Sequence, residues 1–208
     1  LYIGAGQQFS AGGNVTTADL ESRGTYDGGS GTLRINRDLV VAGGTFTASS
    51  GTTQVARNLT VSGGSFAHNG GTFSFDTGID ATIDGGSAVF NNVVVAKSSY
   101  FANVVGTLDV DGDLAIAPTA ALNGGTIAVA GNVTSAATSI IGSATIRLDG
   151  SGNQSLVSTA ASGVGRITSL VIDKSAGTLT LGDIAVYADW THLAGNVDAA
   201  GSTVLFNG

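Results

Sequence analysis

The residues that most resemble a chemical site are the three aspartates of Asp109-Val110-Asp111-Gly112-Asp113. Carboxylates at alternate positions next to a glycine are typical of the start of a calcium-binding loop, because Ca²⁺ prefers several oxygen ligands. A complete loop of this kind also needs an acidic residue at its twelfth position, where this chain has Ala120. Asp109, Asp111 and Asp113 are therefore a candidate Ca²⁺ site, with a solvated turn as the alternative, and no other cofactor is indicated.

A second candidate site is the aromatic cluster around Trp190, which has Tyr187 and His192 close to it in the sequence. An exposed indole ring stacks well on a sugar ring, so this cluster could bind surface carbohydrate. The alternative is that Trp190 fills the core of a wide part of the fold.

Catalytic chemistry is poorly supported. A polysaccharide-cleaving enzyme would need carboxylates that converge in one cleft, with basic residues to bind an acidic sugar. Glu21 is the single glutamate, and His68 and His192 are far apart in the sequence. We expect a protein that is not an enzyme and keep a polysaccharide-active enzyme as an alternative.

The composition favours short strands joined by tight turns. The 208 residues include 33 glycines and one proline, and 42% of the chain is hydrophobic, which is enough for a packed core. The eight basic residues are scattered in a chain of net charge −7, which argues against a nucleic-acid partner. The chain has no cysteine, which excludes disulfides, and no apolar run long enough to span a bilayer.

The chain contains an internal sequence repeat, and the fold that this repeat forms should determine where any functional residues lie. Its copies share an opening Gly-Thr and two apolar residues separated by one position, and neighbouring copies begin about 19 to 20 residues apart. Such a period is typical of a solenoid in which each coil contacts the next. The five copies are Gly31-Thr32-Leu33-Arg34-Ile35, Gly51-Thr52-Thr53-Gln54-Val55, Gly106-Thr107-Leu108-Asp109-Val110, Gly125-Thr126-Ile127-Ala128-Val129 and Gly177-Thr178-Leu179-Thr180-Leu181.

Each copy continues through a turn into a second alternating strand, and the early copies add a third. Three strands and three turns per repeat predict an all-β fold, a three-sided parallel β-helix (β-solenoid) with about 19–20 residues per coil. Phe46 and Phe66 then stack inside as an aromatic ladder. The first turn carries an Asp or Asn in every copy, which predicts a structural turn column of stacked side chains. Its members are Asp38, Asn58, Asp113, Asn132 and Asp183.

The repeat itself explains two further motifs. The glycosylation sequons at Asn14, Asn58 and Asn132 arise because the repeat places Thr two residues after Asn. The opening threonines could form one hydroxyl row of an ice-binding face, but the adjacent outward column, from Arg34 to Thr180, lacks a second row. We expect these threonines to serve β-propensity, with ice binding as an alternative.

The whole chain, 1–208, reads as a single continuous β-solenoid. Larger units are predicted at 71–143 and 144–208, because Phe90–Ser98 corresponds to Ile167–Ser175. The chain begins at Leu1 without a methionine, and its last residues resemble the opening of another coil, so we expect a segment of a longer repeat protein. Coils of this kind should associate end to end, with themselves or with flanking repeats.

The recurring Gly-Thr-Leu-x-Val-x-Gly-Asp/Asn-Leu-x-Val pattern, with Asp149–Leu156 and Leu170–Leu181, resembles the repeats of very large bacterial surface proteins. It is similar to the repeats of filamentous haemagglutinin and of autotransporter passengers. The resemblance implies an extracellular or cell-surface β-helical rod that forms a filament, fibre, stalk or adhesin passenger. A carbohydrate- or surface-binding adhesion module is the alternative.

Overall fold

The computed structural model describes residues 1–98, 100–138, 142–199 and 201–207. Strands account for 57% of the structure, and their parallel sheets stack as a β-solenoid of about 10 turns. The predicted all-β parallel β-helix is therefore confirmed. In the part of the chain that is described, there is no helix long and apolar enough to cross a membrane.

The strands are short, and four of them, β7, β9, β23 and β25, bend from one side of the solenoid to the next. In the first half of the chain the strands are β1 (Tyr2–Ile3), β2 (Gln8–Ser10), β3 (Val15–Thr17), β4 (Leu20–Ser22), β5 (Thr25–Asp27), β6 (Leu33–Ile35), β7 (Leu39–Thr47), β8 (Thr52–Val55), β9 (Leu59–Ala67), β10 (Thr72–Phe75), β11 (Ala81–Asp84), β12 (Val89–Phe90) and β13 (Asn92–Val95). The second half continues with β14 (Phe101–Val105), β15 (Thr107–Val110), β16 (Leu114–Ile116), β17 (Ala121–Asn123), β18 (Thr126–Val129), β19 (Val133–Ser135), β20 (Thr145–Leu148), β21 (Gln154–Ser158), β22 (Gly165–Ile167), β23 (Ser169–Leu181), β24 (Ile184–Val186), β25 (Trp190–Asp198) and β26 (Val204–Phe206).

Among the described residues, each coil contributes one strand to each of three faces, except between β19 and β20, where no second-face strand is described. The first face stacks β3, β6, β8, β10, β13, β16, β19 and β21, followed by the second halves of β23 and β25. The second face stacks β1, β4, β7, β9, β11, β14 and β17, and in chain order β22, β24 and β26 continue it. The third face contains β2, β5 and the second halves of β7 and β9, and then β12, β15, β18, β20 and the first halves of β23 and β25.

Along the first face, coil length is constant from Leu33 to Val93 and is greater near the C-terminus. Leu33, Thr53, Phe73 and Val93 pair in succession at equal spacing along the chain, so these early coils have the same length. Leu156 pairs with Val133 on one side and with Leu181 on the other, so both of these later coils are longer than the early ones. The additional residues lie in turns, because the strands keep their register through the pairing.

The core is a set of inward columns that run along the axis. Leu20, Leu39 and Leu59 stack on the second face, and all three are fully buried. On the third face the rings of Phe46 and Phe66 stack at 5.7 Å with 12° between their planes, as predicted. Phe9 and Tyr26 extend this ladder toward the N-terminus, and Phe90 lies beyond Phe66.

The five Gly-Thr copies do not form one column. Thr32, Thr52 and Thr178 belong to the first face, whereas Thr107 and Thr126 stack on each other on the third face. Strands of every face share the same alternating signature, since each has one buried side. The chain between Gly51 and Gly106 spans two coils and two further sides of a third, which moves the second pair to another face.

The proposed larger units begin at unlike positions of the coil. Strand β10 follows residue 71 on the first face, whereas β20 follows residue 144 on the third face. Lys97 and Lys174, which the sequence correspondence equates, accordingly lie at different corners. The axial hydrogen bonding nevertheless runs through both units, because one 14-stranded sheet connects β3 with β12 by way of β23.

Candidate functional site

Polar side chains form a ladder along the corner at which the second face begins. Oδ1 of Asp38 accepts hydrogen bonds from the backbone N–H and from Nδ2 of Asn58, one coil further on, at 3.2 and 2.9 Å. Oδ1 of Asn58 in turn accepts the backbone N–H of Thr82 at 2.9 Å. The members of this second-face ladder are Asp19, Asp38, Asn58, Thr82, Asn103, Asn123 and Ser143.

A first-face ladder follows the same rule at another corner. Oδ1 of Asp113 accepts the backbone N–H of Asn132 at 2.7 Å, and Oδ1 of Asn132 accepts the backbone N–H of Ser155 at 2.9 Å. The backbone N–H of Asp113 itself donates to Oδ1 of Asn92 at 2.9 Å. The stacked positions of this corner are Asn14, Thr32, Thr52, Thr72, Asn92, Asp113, Asn132 and Ser155.

The single turn column expected from the sequence is thus divided between two corners. Asp38, Asn58 and Asp183 precede strands of the second face, whereas Asp113 and Asn132 precede strands of the first. Asp183 follows the same rule, since its Oδ1 accepts the backbone N–H of Thr203 at 2.7 Å. Each such bond satisfies a turn amide and contributes about 1 kcal/mol.

The side chains of the three sequon asparagines take part in these hydrogen bonds between coils. Asn58 and Asn132 donate Nδ2 to the aspartate one coil below, at 2.9 and 3.2 Å. Asn14 accepts the backbone N–H of Thr32 at 2.8 Å. The sequons therefore coincide with members of the ladders.

The three candidate Ca²⁺ ligands are spread over a strand and the following turn. Asp109 points outward from β15, where it pairs with Ala128, and Asp113 uses its Oδ1 for the first-face ladder. Asp111 is exposed in the turn between them. Within the described ranges, there is no group of three or more His, Cys, Asp or Glu residues that could hold a metal ion.

The structure places Trp190 against the core. Its strand position pairs with the buried Leu170, and its ring meets that of Phe206 edge to face at 5.3 Å. Tyr187 lies at the preceding corner, where the guanidinium of Arg166 stands 5.3 Å from its ring centre. Trp190 is half-buried and packs against the core, and its binding of carbohydrate stays a prediction.

The residues considered for catalysis lie in separate parts of the solenoid. His68 Nδ1 accepts the backbone N–H of Gly70 at 2.9 Å in the turn after β9, and His192 Nε2 contacts the carbonyl oxygen of Gly195 at 2.9 Å in β25. Glu21 pairs with Arg23 at 2.7 Å on the second face. Because these side chains belong to different coils, they do not converge on one cleft.

Arginines at the corners reach back to acidic residues. Arg37 binds Asp19, and Arg57 lies 4.0 Å from Asp38, each pair joining neighbouring coils. Desolvation acts to raise the pKa of Asp19, but hydrogen bonds from Arg37 and from the backbone N–H of Asp38 outweigh it and lower that pKa. These pairs are exposed, so each contributes little stability.

On the third face, threonines form one row without a second threonine row beside it in the same coils. Thr107, Thr126 and Thr145 stack in successive coils, and Ser169 continues the row. The neighbouring outward row has no threonine in these coils and consists of Asp109, Ala128, Arg147 and Val171.

The structure buries two lysines, Lys97 and Lys174, which sequence reasoning did not identify as core residues. Lys97 is fully buried, and its Nζ donates to the carbonyl oxygen of Ala56 at 2.8 Å and to Thr77 Oγ1 at 3.1 Å. Burial lowers the pKa of Lys97 to about 8, although Asp76 and Asp80 act in the opposite direction. The signal available in the sequence is a lysine that directly follows an apolar strand, as in Val93–Lys97.

Lys174 closes a different corner in the same way. Its Nζ donates to the carbonyl oxygens of Gly150 and Gly152, both at 2.8 Å, and to Oε1 of Gln154 at 2.6 Å. Desolvation lowers the pKa of Lys174, opposed by the charge of Asp149. The lysine bridges successive coils where the coils are long. These contacts make both lysines structural side chains of the rod.

Comparison with known proteins yields no match to a protein-family model, to a curated protein or to a solved structure.

Proposed function

We propose that this chain is a structural segment of an extracellular protein, a β-helical rod that belongs to a filament, fibre, stalk or adhesin passenger on a bacterial surface. The observation that carries the proposal is the continuity of bonding along the axis. Parallel strand pairs run along the first face from β3 to β25, whereas the pairs of the second and third faces are each divided between two sheets among the described residues; two side-chain ladders join the turns. A fold of this kind gains length by adding coils, because each coil contacts mainly its neighbours.

The side chains of the core and of the corners favour a structural role over a catalytic or binding role. The core columns are apolar, the arginines at the corners are paired, and both buried lysines bind the backbone of neighbouring turns. The extracellular location and the relation to filamentous haemagglutinin or autotransporter repeats rest on the repeat pattern of the sequence. The absence of enzymatic activity belongs to the same proposal.

The partner proposed for this rod is a flanking coil, from a longer chain or from a second copy. Among the described residues, β1 pairs only with β4 and β26 pairs only with β24, so each presents an open edge on the second face. Exposed apolar side chains accompany these edges, since Tyr2 is 60% exposed and Leu205 is 41% exposed. Open parallel edges are templates for further strands.

The stacking can be tested with engineered cysteines, because the chain has none of its own. Tyr2 and Leu205 occupy equivalent outward positions of the second face, so stacking of two copies places them one coil apart, about 4.8 Å. That spacing suits a disulfide. The double variant Tyr2→Cys/Leu205→Cys, oxidised under native conditions, should give a ladder of multiples of 20.4 kDa on a non-reducing gel.

The matched control pairs Tyr2→Cys with Tyr100→Cys, because Tyr100 is 43% exposed but lies on the side of the rod. The control should give dimers at most, at random-collision levels. Equal cross-linking of both variants, or monomers alone, would contradict end-to-end stacking.

A further inference from the structure

The third face is interrupted between its fourth and fifth strands. The Ser65–Ala67 part of β9 pairs with β7 below it, whereas β12 above it pairs only with β15 among the described residues. The two parts of this face therefore belong to different sheets. A notch opens on the side of the rod at this break.

The notch has an apolar floor and a polar rim. It encloses about 210 Å³ and is lined by Val61, Ser62, Gly63, Gly64, Phe66, Gly86, Ser87 and Ala88. Phe66 is half-buried, and behind it the rings of Phe73 and Phe90 close the core at 5.7 and 5.0 Å. The rim carries two exposed hydroxyl groups, those of Ser62 and Ser87.

Glycine lets the turns beside this notch pack closely on the backbone of the coil below. Gly64 and Gly86 have φ of +83° and +54°, a region that side chains disfavour. A Cβ at Gly86 would also lie 2.2 Å from the carbonyl oxygen of Val61. The rim is therefore formed by backbone and by small side chains.

The residues that line the notch indicate which kind of ligand could bind there. No basic side chain is among the residues that line the notch, and Asp84 lies beside it, since its Oδ1 accepts the N–H of Gly86 at 3.2 Å, so the site offers no counter-charge to an acidic sugar or a phosphate. Hydroxyl groups and backbone amides around an aromatic floor match a ligand with one apolar face and several hydroxyls. The volume is below the roughly 300–1,000 Å³ of pockets for drug-sized molecules, which limits the ligand to about one ring.

We propose that this notch binds a single neutral pyranose unit of a polysaccharide, with its apolar face against the exposed part of Phe66, whose ring otherwise packs on Phe46 and Phe90, and its hydroxyls directed to Ser62 and Ser87. The site adds a carbohydrate contact to the side of the rod and does not depend on end-to-end stacking. Its position differs from the Trp190 cluster, which lies several coils further along the chain.

The proposal is tested by NMR titration of the ¹⁵N-labelled 208-residue chain with glucose, galactose, mannose and N-acetylglucosamine. At about 50 mM, well above a millimolar Kd, at least one sugar should shift the amide signals of Gly63, Gly64 and Ser87. Ser87→Leu fills the notch and should weaken binding at least tenfold. Ser62→Ala removes one hydroxyl and should weaken it about two- to tenfold.

The matched control is Ser30→Leu, which makes the same change at a turn serine remote from the notch and should bind as the unaltered chain does. Galacturonic acid should bind more weakly than galactose. The proposal is overturned if no neutral sugar shifts the three amides, if Ser87→Leu binds normally while folded by circular dichroism, or if the shifts centre on Trp190.

Discussion

Removing one member of the second-face ladder should measurably loosen the solenoid. Asn58 is the sharpest position, because its side chain both donates to Asp38 and accepts from Thr82, each at 2.9 Å. Asn58→Ala deletes both bonds and leaves the N–H of Thr82 without its side-chain acceptor. At about 1 kcal/mol per bond, reduced because Asn58 is half-buried and water can replace part of the loss, the expected cost is about 1–2 kcal/mol.

For a domain of this size, that cost corresponds to a fall in Tm of about 2–8 °C. The assay is urea and thermal unfolding followed by circular dichroism in the strand region of the far-ultraviolet spectrum. Asn58→Asp is a companion variant, which keeps the acceptor for Thr82 but sets a second carboxylate against Asp38. Its stability should be lowest at neutral pH and should recover in acid, when the two groups share a proton.

The control for these variants is Asn36→Ala, since Asn36 is exposed and, among the described residues, its side chain accepts only a local bond from Arg34 at 3.0 Å. Its cost should stay within about 0.5 kcal/mol. If Asn58→Ala and Asn36→Ala destabilise the chain equally, or if Asn58→Asp gains no stability in acid, the ladder is not a stabilising element and the reasoning is refuted.

Three further predictions concern the core. Tyr26→Phe should raise stability by about 1 kcal/mol in urea melts, because the buried Tyr26 hydroxyl lacks a hydrogen-bond partner within the described residues; unchanged or lower stability would contradict this. In the folded chain the pKa of Lys97 is about 8, against a usual 10.5. Between these two pH values the unfolded chain therefore binds more protons than the folded chain. The free energy of unfolding should rise with pH across this window by about 3 kcal/mol. The rise should be smaller in Lys97→Met, which keeps only the contribution of Lys174, whose pKa is also lowered by desolvation, and an undiminished rise in this variant would disprove the assignment. Phe46→Ala interrupts the aromatic ladder at a fully buried ring and should cost about 3–5 kcal/mol in the same melts, whereas a loss below about 1 kcal/mol would show that the ladder is loosely packed.

The architecture could be predicted because it depends on a local signal. Alternation in segments such as Leu33–Ile35 and Leu39–Val41 requires one buried side. The repeat period, about 19–20 residues, leaves room for three strands per coil. The stacking of Phe46 on Phe66 followed from the same register and is confirmed.

The assignment of strands to faces could not be predicted in the same way. Thr32 and Thr107 open segments with the same pattern, yet they lie on different faces, because turn length decides which side of the coil a strand occupies. Sequence reasoning missed Asn103 and Asn123 as ladder members, since no Gly-Thr segment precedes them at the expected spacing.

The buried lysines and the notch depend on long-range geometry. Lys174 meets Gly150 and Gln154 only after a complete coil has closed, and a single lysine in a sequence usually indicates solvent exposure. The notch exists because the turn at Gly86 stacks on Val61 while the Ser65–Ala67 part of β9 and β12 remain unpaired with each other. Neither arrangement produces a periodic pattern in the amino-acid sequence.

Electron microscopy of the 208-residue chain, with light scattering on the same sample, tests the central claim most directly. A rod segment with open coil edges should assemble with increasing concentration into unbranched fibres, in which each subunit of about 10 coils adds roughly 48 Å at about 4.8 Å per coil. A compact particle that remains a 20.4 kDa monomer at every concentration would contradict the account.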